Sequence, residues 1–442
     1  MARKKRKSFP EFEAKTRNLS HEGKGIAEID GKTVFIHGAL PDETIRCQIT
    51  YKSSKFNEAK ILEIIEPSKD RVTPPCAHFG VCGGCSMQHM SVAHQLEHKQ
   101  KVLIEQLKHF GKVTPEEILP AISGKDLGYR GKARLGVRYV QKKEKVLVGF
   151  REKHSKYLAD IKSCKVLHKS VGNIIEDLSN LLITFAHYKE IPQIEVACSD
   201  DETVLIFRHL KPLQQDEIDA LCKFATLNKL SIYLQPNPPE KIHKIFPKDN
   251  IESLSYNLKE FNLEMLFHPT MFTQVNSEIN PLMISQALTL LNPTKDDEIL
   301  DLFCGLGNFT LPLAKYAKNV VGIEGSKEMV KAATSNALHN NIENTEFYAA
   351  NLFEPDRSHK WMQKKYNKIL LDPPRSGAKE ILPYLSEFNT KTIVYVSCNP
   401  ATLARDANEL VNNHGYKLKK TGIINMFPHT SHIEAMALFE RA

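Results

Sequence analysis

The chain has 442 residues, 41% of them hydrophobic, which is enough for about three domains. No apolar run approaches the roughly 18 residues of a membrane-spanning helix, and nine cysteines without a secretory signal point to a reducing cytoplasm and to metal or catalytic thiols. The net charge of +8 is unevenly placed: residues 125–170 alone carry +10, from 14 Lys/Arg against 4 Asp/Glu, as a polyanion-binding surface would. The first element is an arm with five basic residues from Arg3 to Lys7, expected to be disordered and able to touch RNA non-specifically.

Residues 1–67 hold this arm and a stretch that reads as all-β. Short alternating runs occupy 9–16, 25–29, 33–36, 44–51 and 59–65, and turn signals at 21–25, Asp30-Gly31 and Pro41-Asp42 separate them. Five such strands predict a small OB-like barrel. The Gly23-Lys24-Gly25-Ile26-Ala27 turn and the run from Val34 to Glu43 resemble a TRAM domain, which implies RNA binding.

Residues 68–265 read as an α+β central domain. After a linker from Pro67 to Pro75 come Cys76, Cys82 and Cys85 in a glycine-rich loop. Thiolates this close converge on one soft metal centre, and Cys164 is the best candidate for a fourth ligand. Spacing alone leaves a [4Fe–4S] cluster and structural zinc equally open. Apolar residues at 92–110 repeat at helical spacing, giving a helix able to pack on the catalytic domain. Strands are predicted at Ala133–Val140, Val146–Phe150 and Lys156–Leu158, where basic side chains interleave with Tyr129, Tyr139 and Tyr157. A basic sheet bearing aromatics suits RNA. Residues 171–262 add two α-β passages without evident chemistry.

Residues 266–442 alternate strand and helix as a Rossmann-like parallel sheet requires, with strands at 298–303, 319–324, 345–350, 367–372, 391–397, 418–427 and 432–440. The first turn, Asp301-Leu302-Phe303-Cys304-Gly305-Leu306-Gly307-Asn308-Phe309, lacks the third glycine of a dinucleotide fingerprint. Glu324 closes the second strand, where an acid can hold ribose hydroxyls, and Asn351 closes the third, where it could face an adenine edge. Turn, acid and amide in that order look like an S-adenosylmethionine-dependent methyltransferase. Asp372-Pro373-Pro374-Arg375 closes the fourth strand. Arg375, where amine-methylating enzymes carry an aromatic, leaves carbon as the acceptor.

Cys398 ends the fifth strand, on the rim where open α/β sheets bind ligands. Carbon 5 of uracil becomes nucleophilic only after a thiolate adds to carbon 6, and a base must then remove the carbon-5 proton. Cys398 is read as the nucleophile, with its pKa expected to be lowered, and Glu434 as the base. His429 and His432 are candidate orienters or local hydrogen-bond partners.

Ser397-Cys398-Asn399-Pro400 through Asp406, Phe427-Pro428-His429-Thr430 through Glu434, and Phe272-Thr273-Gln274-Val275-Asn276 together closely resemble the RNA uracil-5-methyltransferase family. The resemblance implies that Gln274, Phe303, Asn308, Glu324, Asn351 and Asp372 contact S-adenosylmethionine or the uracil, and that Phe272 stacks on a flipped base. A chain with both barrel and cysteine cluster looks like the members that modify a single uridine of 23S ribosomal RNA. That in turn implies a [4Fe–4S] cluster on Cys76, Cys82, Cys85 and Cys164. Because none of these ligands lies in the catalytic motifs, its expected role is structural, in RNA docking, and the protein is expected to be cytoplasmic and monomeric. Dual-site 23S rRNA and tRNA enzymes are the alternatives. A cytosine-5 enzyme would carry Pro-Cys where this chain has Ser397-Cys398. A non-catalytic Fe–S protein would leave Glu324 and the Cys398/Glu434 pair without purpose.

Overall fold

The computed structural model describes residues 11–153, 155–237, 241–249 and 253–441, so the basic arm from Arg3 to Lys7 lies outside the described residues. The chain divides into two compact units: residues 1–102 with 151–156 and 428–431, and residues 103–150 with 157–427 and 432–442.

The first unit is built on six strands: β1 (Glu11–Lys15), β2 (Asn18–Leu19), β3 (Gly25–Ile29), β4 (Lys32–His37), β5 (Thr44–Lys52) and β6 (Asn57–Glu66). Their order in the sheet is β1-β5-β6-β4-β3-β2. β2 is the strand that its two-residue length hides from periodicity. Alternation sends Val34, Ile36, Ile45, Cys47 and Ala59 into one apolar core. A second cluster, Leu19, Leu40, Met87 and Met90, anchors the chain that follows the cysteine loop.

The second unit holds two large sheets. Strands β7 (Glu117–Ile118), β8 (Lys132–Val140), β9 (Lys145–Gly149), β10 (Gln193–Cys198), β11 (Thr203–Arg208), β12 (Ser231–Gln235) and β13 (His243–Phe246) come first. All but β7 form a mixed sheet in the order β13-β12-β11-β10-β8-β9. The expected strand at Lys156–Leu158 does not form. Leu158 instead packs over Gly136 of β8, in the space a Cβ there would occupy, and Ala159 N–H bonds Phe150 O at 2.9 Å. A hairpin, β14 (Leu254–Leu258) and β15 (Leu263–Phe267), leads into the last sheet.

That sheet contains β16 (Glu298–Leu302), β17 (Asn319–Glu324), β18 (Thr345–Ala349), β19 (Lys368–Leu371), β20 (Thr392–Ser397), β21 (Lys417–Ile424) and β22 (Glu434–Glu440). The order is β18-β17-β16-β19-β20-β22-β21-β7, and β16 to β20 run parallel. Leu300, Val320, Val321, Leu370 and Ile393–Val396 are buried, as strands covered on both faces demand. Strand order reverses between β16 and β19, so the carboxyl ends of these two strands meet at the switch point of the sheet, where open α/β sheets bind ligands. β22 runs antiparallel to β20 and pairs Ala435 with Ser397. Cys398 follows the last residue of β20 in this register, and Glu434 is the first residue of β22.

Candidate active site

Cys398 sits at a forced change of direction. β20 ends at Ser397, and the helix Pro400–His414 starts two residues after the cysteine. Asn399 caps that helix by accepting Ala401 N–H at 3.1 Å, and Pro400 takes the first helical position, where its missing N–H costs nothing. Cys398 is thus held on a turn with little freedom, partly exposed. Asn399 Nδ2 also donates to Arg375 O at 3.0 Å, and Thr402 Oγ1 to the same oxygen at 3.3 Å, tying the turn to the Asp372-Pro373-Pro374-Arg375 loop.

Asp406 locks this arrangement from below. Its buried carboxylate accepts from Tyr395 OH at 2.6 Å, Ala378 N–H at 2.8 Å and Arg405 Nε at 2.7 Å. Strand β20, the Pro400–His414 helix and the loop after Arg375 meet on one side chain.

Glu434, 7% exposed, opens β22. The last pair of the β20–β22 register, Ser397 with Ala435, brings Cys398 and Glu434 to the same end of the two strands. Their electrostatics are coupled. Burial drives the Glu434 carboxyl well above the usual carboxylate range; Asp372 adds to this and Arg375 opposes it. Burial also pushes half-buried Asp372 up to about 7. The Cys398 thiol is raised to about 11 by burial, then by Glu434 and Asp372, with Arg375 acting the other way. The expected lowering of this thiol's pKa is therefore not what the protein does by itself. Two carboxyls beside a desolvated sulfur outweigh one exposed guanidinium. Arg375 Nη2 also lies 3.2 Å from His432 Nδ1, two residues before Glu434.

At the switch point, Phe303, Gly305 and Gly307 all take positive φ (66°, 58° and 93°), which turns the chain sharply after β16 and leaves backbone open to a ligand. Glu324 Oε2 accepts Gly305 N–H at 3.2 Å and Oε1 accepts Ser326 N–H at 3.0 Å, so the acid braces the turn. Beneath it, buried Asp301 accepts from Thr310 Oγ1 at 2.5 Å and keeps Oδ1 without a hydrogen-bond partner. Burial, then Asp372 and Glu324, push its carboxyl up to about 8. A Cβ at Gly325 would meet nothing within 4 Å. A glycine turn, a braced acid and open backbone fit a nucleoside-bearing donor such as S-adenosylmethionine.

The remaining expected contacts are more dispersed. Asn308 exchanges hydrogen bonds with Asn280 (2.8 and 3.0 Å) and accepts from Tyr256 OH at 2.8 Å. Tyr256, Asn280 and Gln274 line one recess. Gln274 also borders a neighbouring cavity of about 890 Å³ whose rim includes Lys125, Lys169 and Tyr129. Asn351 is exposed, and its Oδ1 accepts Phe353 N–H at 3.1 Å. Phe303 and Phe353 lie 5.9 Å apart, a tilted aromatic pair. Phe272 is 65% exposed. Asp301 and Asp406 stand out in the sequence only as members of their motifs, and Tyr256 and Asn280 carry no signal there. Asp301 is also an acid in an apolar strand.

The cysteine loop belongs to the other unit. Cys76, Cys82 and Cys85 share one segment, while Cys164 lies in the unit that carries Cys398. All nine cysteines, each among the described residues, lack a disulfide. Among those residues, no three His, Cys, Asp or Glu side chains are gathered as a metal-ligand set. The segment's chemistry nonetheless suits sulfur ligation. Gly84 N–H points at Cys82 Sγ at 3.4 Å, and Gly83 lies so close to Arg151 O that a Cβ would stand 3.0 Å from it.

A family model described as tRNA (Uracil-5-)-methyltransferase matches residues 91–442, and a TRAM domain model matches residues 5–62. The chain is 48% identical over 446 residues to the 23S rRNA (uracil(1939)-C(5))-methyltransferase RlmD of Hahella chejuensis, covering 99% of this chain and 100% of that protein. It is 50% identical over 435 residues to the protein of the same name from Francisella tularensis subsp. novicida, covering 97% of each. Among solved structures, Pyrococcus abyssi tRNA (uracil-54, C5)-methyltransferase in complex with S-adenosyl-L-homocysteine is similar in fold. Its TM-score is 0.71 at 24% identity, covering 97% of this chain and 100% of that one.

Proposed function

We infer the reaction from kinship and chemistry together: this chain belongs to the tRNA (uracil-5-)-methyltransferase family, whose model covers residues 91–442. It is an RNA uracil-C5 methyltransferase, and its substrate is 23S rRNA at the uridine named for its relatives, uracil-1939. The observation that supports the mechanism is that β20 and β22 end together at Ser397 and Ala435, with Cys398 and Glu434 next to that pair and Glu434 felt by the thiol.

S-adenosylmethionine supplies the methyl group when bound. Phe303, Gly305, Asn308, Glu324 and Asn351 would hold it beside the glycine turn, with Gln274 and Asp372 orienting donor and pyrimidine. The target uridine is extruded from its stack, at a cost of a few kcal/mol, and Phe272 stacks on it. Cys398 adds to carbon 6, which makes carbon 5 nucleophilic. Once carbon 5 carries the methyl, Glu434 takes the carbon-5 proton. The electron pair left behind reforms the 5,6 double bond and expels the Cys398 thiolate. The burial that raises the Glu434 pKa strengthens it as a proton acceptor.

The barrel and the basic sheet around β8 and β9 serve RNA. Residues 1–67 and 68–265 are the RNA-binding parts, and residues 266–442 the methyl-transferring part. A [4Fe–4S] cluster on Cys76, Cys82 and Cys85, with Cys164 as fourth ligand, is proposed from the thiol-only donor set and the amide aimed at Cys82. No helix among the described residues is long and apolar enough to cross a membrane. A monomer acting in the cytoplasm is the proposed setting.

The test is methyl transfer from labelled donor to naked 23S rRNA and, separately, to tRNA, followed by mapping of the modified base. Label at carbon 5 of uracil-1939 alone is expected. Label in tRNA, at a second 23S position or on cytosine would overturn the assignment.

A further inference from the structure

The chain after the cysteine loop does more than follow it. Ser86 N–H and Met87 N–H both donate to His429 O, each at 2.9 Å. Gln95, fully buried, accepts His429 N–H on Oε1 at 2.8 Å. Its Nε2 donates to Met87 O at 3.1 Å and Met90 O at 2.9 Å, and lies 3.2 Å from His429 Nδ1. Ser431 N–H donates to Ser86 Oγ at 2.9 Å. His429 takes φ 65°, in the left-handed region that is uncommon for a non-glycine residue. Met87 and Met90 are themselves sunk against Leu19 and Leu40 of the barrel. Residues 428–431 are therefore a strap pinned to a fixed platform, and Glu434 follows Ser431 by three residues.

We propose that the 86–95 segment acts on catalysis as well as on RNA docking: through Ser86 and Gln95 it pins the 428–431 strap and so sets where Glu434 stands. Ser86 and Gln95 are then positioning residues for the proton-removal step, an assignment that rests on Glu434 being the base. It also departs from the expectation that the cysteine segment serves RNA docking alone. The purpose of four backbone anchors on the strap is specific. Carbon-5 deprotonation needs the carboxylate within hydrogen-bonding reach of one proton on a methylated ring, and displacement by about 1 Å costs on the order of a hundredfold in rate. Addition of the thiol and methyl transfer depend on Cys398 and the donor, whose anchors are Asn399, Asp406 and the glycine turn.

The test separates these steps in the full-length enzyme. Glu434→Gln, Gln95→Ala, Ser86→Ala and Ser86→Thr are each incubated with target RNA and labelled donor, then resolved on a denaturing gel. RNA affinity and iron content are measured alongside. The proposal expects Gln95→Ala and, more weakly, Ser86→Ala to accumulate the methylated protein–RNA adduct, as Glu434→Gln does. Turnover should fall at least tenfold, with RNA affinity and iron content at wild-type values, and Ser86→Thr should restore turnover. Weakened RNA binding without adduct, or full turnover in both alanine variants, overturns it. If Gln95→Ala does not fold, the Ser86 pair decides alone. If Glu434→Gln traps no adduct, the base assignment fails first and this proposal with it; if it traps adduct and the other variants do not, only the strap proposal fails.

Discussion

Asp406 lies away from the reacting atoms, and its replacement tests whether the nucleophile turn is held as described. Its Oδ2 serves both Tyr395 OH (2.6 Å) and Ala378 N–H (2.8 Å), while Oδ1 faces Arg405 Nε (2.7 Å). Asp406→Ala strands two buried donors, each costing about 1–3 kcal/mol, whereas the half-exposed Arg405 pair contributes under about 1 kcal/mol. The expected loss is roughly 4 kcal/mol. Asp406→Asn retains an acceptor for Tyr395 and Ala378 and should cost only about 1–2 kcal/mol. Thermal denaturation by circular dichroism, with hydrogen exchange at the Ala378 amide, measures both. The alanine variant should lose Ala378 protection and most of its kcat, the asparagine variant little of either. Equal effects of the two substitutions, or an unchanged Ala378 amide, would refute the anchoring role.

Arg375→Gln removes the cation that opposes Glu434 and Asp372 at the thiol. Alkylation of Cys398 at pH 8 should slow about tenfold, with Arg375→Lys intermediate; unchanged alkylation would contradict the electrostatics. Because the thiol is raised to about 11, kcat/KM of the wild-type enzyme should climb with pH through 7 to 9, and a plateau below pH 7 would contradict this. Asp301, raised to about 8 in the fold, binds a proton there that the unfolded chain releases near pH 4. Its burial therefore costs nothing at low pH and progressively more as pH rises to 8, by on the order of 5 kcal/mol at most. Asp301→Asn should raise the melting temperature more at pH 8 than at pH 5; equal gains would refute the shift. Anaerobically purified protein should carry about four irons per chain, and Cys82→Ser should lose them. Zinc in their place would contradict the cluster assignment.

Much of the catalytic sheet was legible because parallel strands buried on both faces read as continuous apolar runs, Val320-Val321 and Ile393–Val396 among them. The strand ends were legible for the same reason: Glu324, Asp372 and Cys398 each interrupt such a run. What escaped is what depends on partners distant in sequence. β7 is two residues long and is defined by its pairing with β21. The loss of a strand at Lys156–Leu158 depends on a notch over Gly136. Tyr256 and Asn280 gain meaning only through Asn308, 52 and 28 residues away. The thiol's direction of shift was misjudged because sequence places a nucleophile but does not count the carboxyls around it.

The most direct measurement is the fate of target RNA with Glu434→Gln and labelled donor. If the thiol at 398 and the carboxyl at 434 serve one pyrimidine, methyl-bearing RNA should remain covalently joined to the protein through Cys398, and peptide mapping should find it there. Free methylated RNA released at the wild-type rate, or label attached to another residue, would contradict the account.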